Sequence, residues 1–182
     1  MNQDETRIVK RSIIIAFFLF LIDALFVNQG IIAAIALLVL FFWLIPKSIF
    51  LWLKKRSVKP QLYKCLIYFL MAIFILGANY LNNQLATSRA NQIIAAVEKF
   101  KVVNHRYPEK LAELAPEYIE AIPTAKYTLF ANGFFYSNRD DHAFIGYVAL
   151  PPFGRRIYDF NSKKWGQIDW GSAKKIFNGE VF

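Results

Sequence analysis

Three apolar stretches crowd the first 83 residues, and nothing else in the chain constrains its fold as strongly. Ser12–Val27 carries one charge, Asp23, and Ile31–Ile45 carries none, its apolar character resuming past Pro46 and Lys47 to Leu53. Leu62–Leu81 carries only Lys64, near its start. A bilayer core of about 30 Å is crossed by about 20 mostly apolar helical residues. The second and third stretches reach that length if Lys47 and Lys64 snorkel to an interface. The first is shorter, and Ile8 and Val9 extend it by a turn. Buried helices of a soluble protein keep a polar face, and these stretches have none. The expectation is a membrane anchor over residues 1–83 with three transmembrane helices, about 9–28, 31–53 and 62–83.

Basic residues set the orientation. Arg7, Lys10 and Arg11 flank the first stretch, opposed by Asp4 and Glu5, while the connection Asn28-Gln29-Gly30 is uncharged and short. The loop over 54–64 holds Lys54, Lys55, Arg56, Lys59 and Lys64. Short loops rich in Lys and Arg stay cytoplasmic, and this one also suits anionic headgroups. The N-terminus and the 54–64 loop are therefore expected inside and residues 84–182 outside, which in a bacterium is the periplasm. The whole is read as a multi-pass protein of a bacterial inner membrane. A cleaved signal peptide is disfavoured because Ala24-Leu25-Phe26-Val27-Asn28-Gln29-Gly30 puts bulky residues where a peptidase needs small ones. The single cysteine, Cys65, lies at the membrane edge, which leaves disulfides no role in the outer domain.

Net charge is +9 over 182 residues, with 56% of them hydrophobic. Most of that charge sits before residue 84, where it reads as topology signal, so nucleic acid is not an expected partner.

The outer part begins as a continuation of the third span, because apart from Gly77 no breaker interrupts Leu62 to Asn104. Ala86, Ala90, Ile93, Val97 and Phe100 recur at spacings of three and four, with Arg89, Gln92, Glu98, Lys99 and Lys101 between them, as expected for a helix lying on a sheet. Pro108 is placed to open a short helix with Glu109 in its first turn, and Pro116–Ile119 to form another turn. Short strands follow. Lys126–Phe130 and Phe134–Ser137 are expected to pair across Ala131-Asn132-Gly133, His142–Leu150 to run up to Pro151-Pro152, and Arg155–Phe160 to pair with Lys164–Asp169 across Asn161-Ser162-Lys163. Trp170–Phe182 offers one helical turn. The fold class is an α+β membrane protein, its third span continuing into a long helix packed on a small antiparallel β-sheet.

The run Ala95-Ala96-Val97-Glu98-Lys99-Phe100-Lys101, then Asn104-His105-Arg106-Tyr107-Pro108 and Leu111-Ala112-Glu113-Leu114, resembles a pseudopilin of type II secretion or a type IV pilin. The likeness covers about residues 66–170. In those families a long N-terminal helix leads through an Asn-Gly-Arg-Tyr-Pro-like turn into short helices and hairpins. The resemblance implies a pilin-like domain and a place beside pilins, pseudopilins or the outer parts of a secretion machine. Two features depart from it. Pilins carry a Gly-Phe processing site and a glutamate five residues into the mature helix, whereas the third span here begins Lys64-Cys65-Leu66-Ile67-Tyr68-Phe69. Two further spans also precede it. A polymerising subunit is therefore not expected.

Chemistry-bearing motifs are few. His105 reads as a helix-end residue. Asn138, Asp140 and Asp141 ahead of His142 make an acidic turn able in principle to hold Ca²⁺ through oxygens, as some pseudopilins do in a late loop. The reading taken is a solvated turn, its charge reduced by Arg139 and His142. No His or Cys pair has zinc spacing, and no nucleophile elbow, phosphate loop or dinucleotide fingerprint is present. Glu109, Glu113, Glu117 and Glu120 read as a solvated face. No catalytic residue, cofactor or metal is assigned.

Two places remain as candidate sites. Asp23 is a carboxylate inside a span, which costs about 2.5–3.5 kcal/mol on insertion scales and asks for a partner. It either reaches the outer interface, bonds Asn79 or Tyr80, meets a basic group of another protein or serves a proton-linked role. The last hairpin offers Arg155, Arg156, Tyr158, Trp165 and Trp170, residue types enriched at interfaces. Tyr158, Phe160 and Trp165 serve equally as core against the helix stripe, and Arg155 and Arg156 point to opposite faces. The function expected is a non-enzymatic accessory protein whose outer domain docks proteins in assembly or positioning of a type IV pilus, type II or other envelope-spanning secretion system. The alternative is an immunity protein that neutralises an envelope-acting toxin outside the membrane.

Overall fold

Apolar run length decides how the first part of the chain folds. The computed structural model describes residues 3–28, 30–130, 132–139, 142–149 and 154–176, without the side chains of Asp4, Val27, Trp170, Ala173 and Lys174. Helix α1 is Gln3–Leu21 and passes into a π-helical turn, Ile22–Val27. Helices α2 (Ile31–Val39) and α3 (Ile45–Leu53) are joined by a second π-helical turn, Leu40–Leu44, and α4 is Lys59–Asn104. Among the described residues two helices are long and apolar enough to cross a membrane: the continuous Ile31–Leu53, of 23 residues, and α4, of 46 residues. The first of the three expected spans does not meet that measure. Between Arg11 and Asp23 lie only the 11 uncharged residues Ser12–Ile22, about 16 Å of helix against a core of about 30 Å.

The π-helical turn before α3 has a local cause. Pro46 has no N–H to offer the carbonyl one turn back, and the widened turn precedes it. Ser48 Oγ donates to the Leu44 carbonyl (2.8 Å), and Gln61 Nε2 donates to the same oxygen (3.5 Å).

The chain divides into two compact units, residues 1–79 and 80–182, the division falling inside α4 slightly before the expected boundary at residue 83. The first unit is apolar outside and encloses small and polar side chains. Its core is Ala16, Ala33, Met71, Ala72 and Ile75, mostly small side chains that let helices approach closely. Asp23, Asn28, Ser48, Gln61 and Asn79 are buried with them, while Phe41, Phe42, Trp43, Trp52 and Phe74 are all more than 60% exposed.

In the second unit the helix stripe is buried as its spacing requires: Ala86, Ala90, Ile93 and Val97 are fully enclosed and Phe100 nearly so. Helix α4 ends where His105 turns left-handed (φ 56°), its N–H donating to the Lys101 carbonyl (2.9 Å). The helix expected to begin at Pro108 is instead one 3-10 turn, Leu111–Leu114. The Glu113 carboxylate accepts from the Glu109 and Lys110 N–H groups (2.7 and 3.0 Å) and pairs with Arg106 (2.9 Å). These side-chain bonds hold 109–110 outside the helix. The Pro108 carbonyl is used elsewhere, by Tyr136 Oη (2.9 Å) and Asn138 Nδ2 (3.3 Å).

The sheet is a four-stranded antiparallel meander in the order β1-β2-β3-β4, formed by Phe135–Arg139, His142–Val148, Arg155–Asp159 and Lys164–Ile168. Lys126–Phe130 is not a strand, and the hairpin expected across Asn132-Gly133 does not form. The first hairpin instead pairs β1 with β2, Arg139 lying opposite His142; Asp140 and Asp141 of the expected acidic turn lie outside the described residues. Local bonds compete for the earlier segment: Lys126 N–H donates to the Asn132 carbonyl (3.3 Å), Asn132 Nδ2 to the Thr128 carbonyl (2.8 Å) and Thr128 Oγ1 to the Phe130 carbonyl (2.9 Å). With those groups engaged, residues 125–130 curl into a loop.

Ile145 and Phe160 share one core with Ile93, Val97 and Phe100 of α4. Phe135, Val148 and Ile157 face the other way and are packed by Ile168 and by Ile176 of α5 (Trp170–Ile176). Asp169 caps α5, its carboxylate accepting from the Gly171 N–H (2.8 Å) and Ser172 Oγ (2.7 Å). The molecule is thus α+β, a long helix with a four-stranded antiparallel sheet.

Candidate functional site

Asp23 is fully buried. Its two carboxylate oxygens accept from the backbone N–H groups of Gly30 (3.2 Å) and Ile32 (3.1 Å). The sequence places it there through a tight reversal: Asn28 and Gly30 both take left-handed backbone angles (φ 45° and 67°), and Gly30 does so without a Cβ penalty. A carboxylate at the start of α2 also sits well in the field of the helix dipole. Asn79, one of the partners considered for it, donates to the Asn28 carbonyl (2.6 Å). Asp23 therefore closes the reversal between α1 and α2.

The last hairpin separates the residues grouped there by type. Arg155 is buried, 6.0 Å from the Phe135 ring on the α5 side of the sheet, and burial lowers its pKa. Arg156 is half-buried on the opposite face, its guanidinium 5.0 Å from the Trp165 ring. Tyr158 lies opposite Trp165 in the ladder, the rings 5.4 Å apart, and packs on Phe160 at 5.2 Å. Both are half-buried. Trp170 begins α5, and its side chain lies outside the described residues. The surface left on this hairpin is Arg156, the edge of Trp165, and exposed Gly166 and Gln167, around a shallow polar recess.

Sequence reasoning missed the loop at 125–130. Lys126 and Thr128 point inward and are buried, while Tyr127, Leu129 and Phe130 are 69%, 65% and 65% exposed. Burial brings the Lys126 pKa down to about 8. The alternation was legible as a strand pattern, but its apolar members face outward. Tyr127 N–H donates to Asn82 Oδ1 (3.3 Å). Arg89 donates to the Thr124 carbonyl (2.8 Å) and lies 4.5 Å from the Tyr127 ring.

Among the described residues no three His, Cys, Asp or Glu side chains gather as a metal-binding group. His105 and His142 are exposed. Comparison with protein-family models, curated proteins and solved structures found no match to this chain.

Proposed function

We propose that this chain is a non-enzymatic, multi-pass protein of a bacterial inner membrane whose second unit is a pilin-like periplasmic domain that docks other envelope proteins. The system it serves is a type IV pilus, a type II machine or another envelope-spanning secretion assembly. The observation that carries the membrane part is the inverted first unit, with Asp23 and Asn79 enclosed and Phe42 and Trp43 turned outward. A surface of that kind is matched to lipid and ill matched to water. In this reading α1 completes a three-span anchor, its short apolar run closed against α2 by Asp23, with the N-terminus and the 54–64 loop in the cytoplasm. The docking part is supported by the long helix stripe on an antiparallel meander, the arrangement implied by the pilin resemblance, and by Arg156 beside Trp165 at the open end of the sheet.

Photo-crosslinking in cells tests it. A crosslinker placed at Gln167 of the full-length protein is expected to trap a pilus or secretion component, while one at Lys55 is not. Trapping of a toxin at Gln167 instead would favour the immunity reading, and trapping of no envelope protein would end the docking proposal. Ser162→Cys should be modified by an impermeant maleimide once the outer membrane is opened, and Lys55→Cys only after lysis.

A further inference from the structure

The exposed apolar loop of the second unit is attached to α4 at one particular height. Tyr127 is bonded to Asn82, the first residue after the apolar stretch Leu62–Leu81. If Leu62–Leu81 crosses a hydrocarbon core of about 30 Å at about 1.5 Å per residue, Asn82 lies at its edge. Arg89 lies about 10 Å farther along the helix, at headgroup depth, and holds the loop through the Thr124 carbonyl and the Tyr127 ring. Tyr80 and Leu81 are themselves 58% and 68% exposed at this level.

A loop that faced water here would have little reason to turn Lys126 and Thr128 inward and Tyr127, Leu129 and Phe130 outward. The pattern suits the interfacial zone, where aromatic side chains settle between headgroups and acyl chains. We infer that Tyr127, Leu129 and Phe130 dip into the outer leaflet of the membrane that anchors the chain, as a second lipid contact besides the spans. The inference rests on the membrane reading above. Its occupant is the lipid surface: the apolar tip is tied to α4 at Asn82, next to exposed Tyr80 and Leu81, and Arg89 stands where lipid phosphates would be.

The test uses the full-length protein with Cys65→Ala, reconstituted in vesicles of phosphatidylethanolamine and phosphatidylglycerol. Nitroxide labels are introduced singly at Leu129→Cys, Phe130→Cys, Phe74→Cys and Ser162→Cys, and their collisions with oxygen and with a water-soluble nickel chelate are compared. Labels at 129, 130 and 74 are expected to favour oxygen, and the label at 162 to favour the chelate. If 129 and 130 behave like 162 while 74 still favours oxygen, the loop faces water and the inference fails, though the span stands. If 74 itself favours the chelate, the membrane reading fails and the inference fails with it.

Discussion

The carboxylate of Asp23 accepts a hydrogen bond from the backbone N–H of Ile32 at 3.1 Å, nine residues ahead in the chain and across the reversal between α1 and α2. With the Gly30 N–H on its other oxygen at 3.2 Å, it satisfies two amides that the start of a helix otherwise leaves without intrahelical partners. A charge that looked like a liability within an apolar segment is thereby what closes the hairpin.

Asp23→Ala should therefore cost about 1–3 kcal/mol, the penalty for leaving buried donors unmade. Asp23→Asn keeps one acceptor oxygen and should cost clearly less. Unfolding of the full-length protein in bicelles checks this. Equal losses for both variants, or none, would mean the carboxylate does not hold the turn.

Lys126 gives the second unit an alkaline pH dependence. Its folded pKa is lowered to about 8 by burial, against about 10.4 for an unfolded lysine, so between those values the unfolded chain binds more protons. Stability should rise with pH from about 8 towards 10, by at most about 3 kcal/mol. Above pH 10 the half-buried Tyr136, its pKa raised chiefly by burial, works the other way and stability should fall. Lys126→Met should be more stable at pH 7 and should lose the rise. Denaturant midpoints of the two proteins at pH 7 and 9.5 decide it, and parallel curves would contradict the assignment.

Tyr136 Oη donates to the Pro108 carbonyl at 2.9 Å. Tyr136→Phe should cost about 0.5–1.5 kcal/mol, towards the lower end because Asn138 Nδ2 also reaches that oxygen (3.3 Å). Thermal unfolding measures it, and Tyr136→Phe combined with Asn138→Ala should lose more than the two single losses summed.

Ala90 is fully enclosed on the helix stripe. Ala90→Leu should destabilise the second unit by about 1–3 kcal/mol through overpacking, whereas Gln92→Leu, at an exposed position, should change stability by no more than about 0.5 kcal/mol. Equal effects on the unfolding midpoint would show that the stripe does not face the sheet.

How far these features could be read from the chain depended on the range of the interactions behind them. The stripe Ala86 to Phe100 and the hairpin around Asn161-Ser162-Lys163 were legible because they depend on near neighbours. Asp159 secures that turn through the Asn161 N–H (2.9 Å) and Ser162 Oγ (2.8 Å). The segment 126–130 was misread because its alternation matches a strand while Asn132 and Thr128 take its backbone groups. The short helix expected from Pro108 was placed too early because the Glu113 carboxylate takes the Glu109 and Lys110 N–H groups, and the Pro108 carbonyl is met by Tyr136, 28 residues away. The interface candidates Arg155 and Arg156 were visible as types, and their opposite faces followed from strand alternation. That α5 covers the face holding Arg155 did not.

Hydropathy along the chain by itself determined that residues 31–53 and the first half of α4 are apolar helix, because a 3.6-residue repeat without a polar face needs no knowledge of what surrounds it. It also determined the helix-plus-strands composition of residues 84–182. Only the tertiary structure decided what Asp23 bonds, which strand begins the sheet, and that Tyr127, Leu129 and Phe130 face outward. Each of these depends on where a distant carbonyl, amide or side chain comes to lie, and residue order alone does not carry that information.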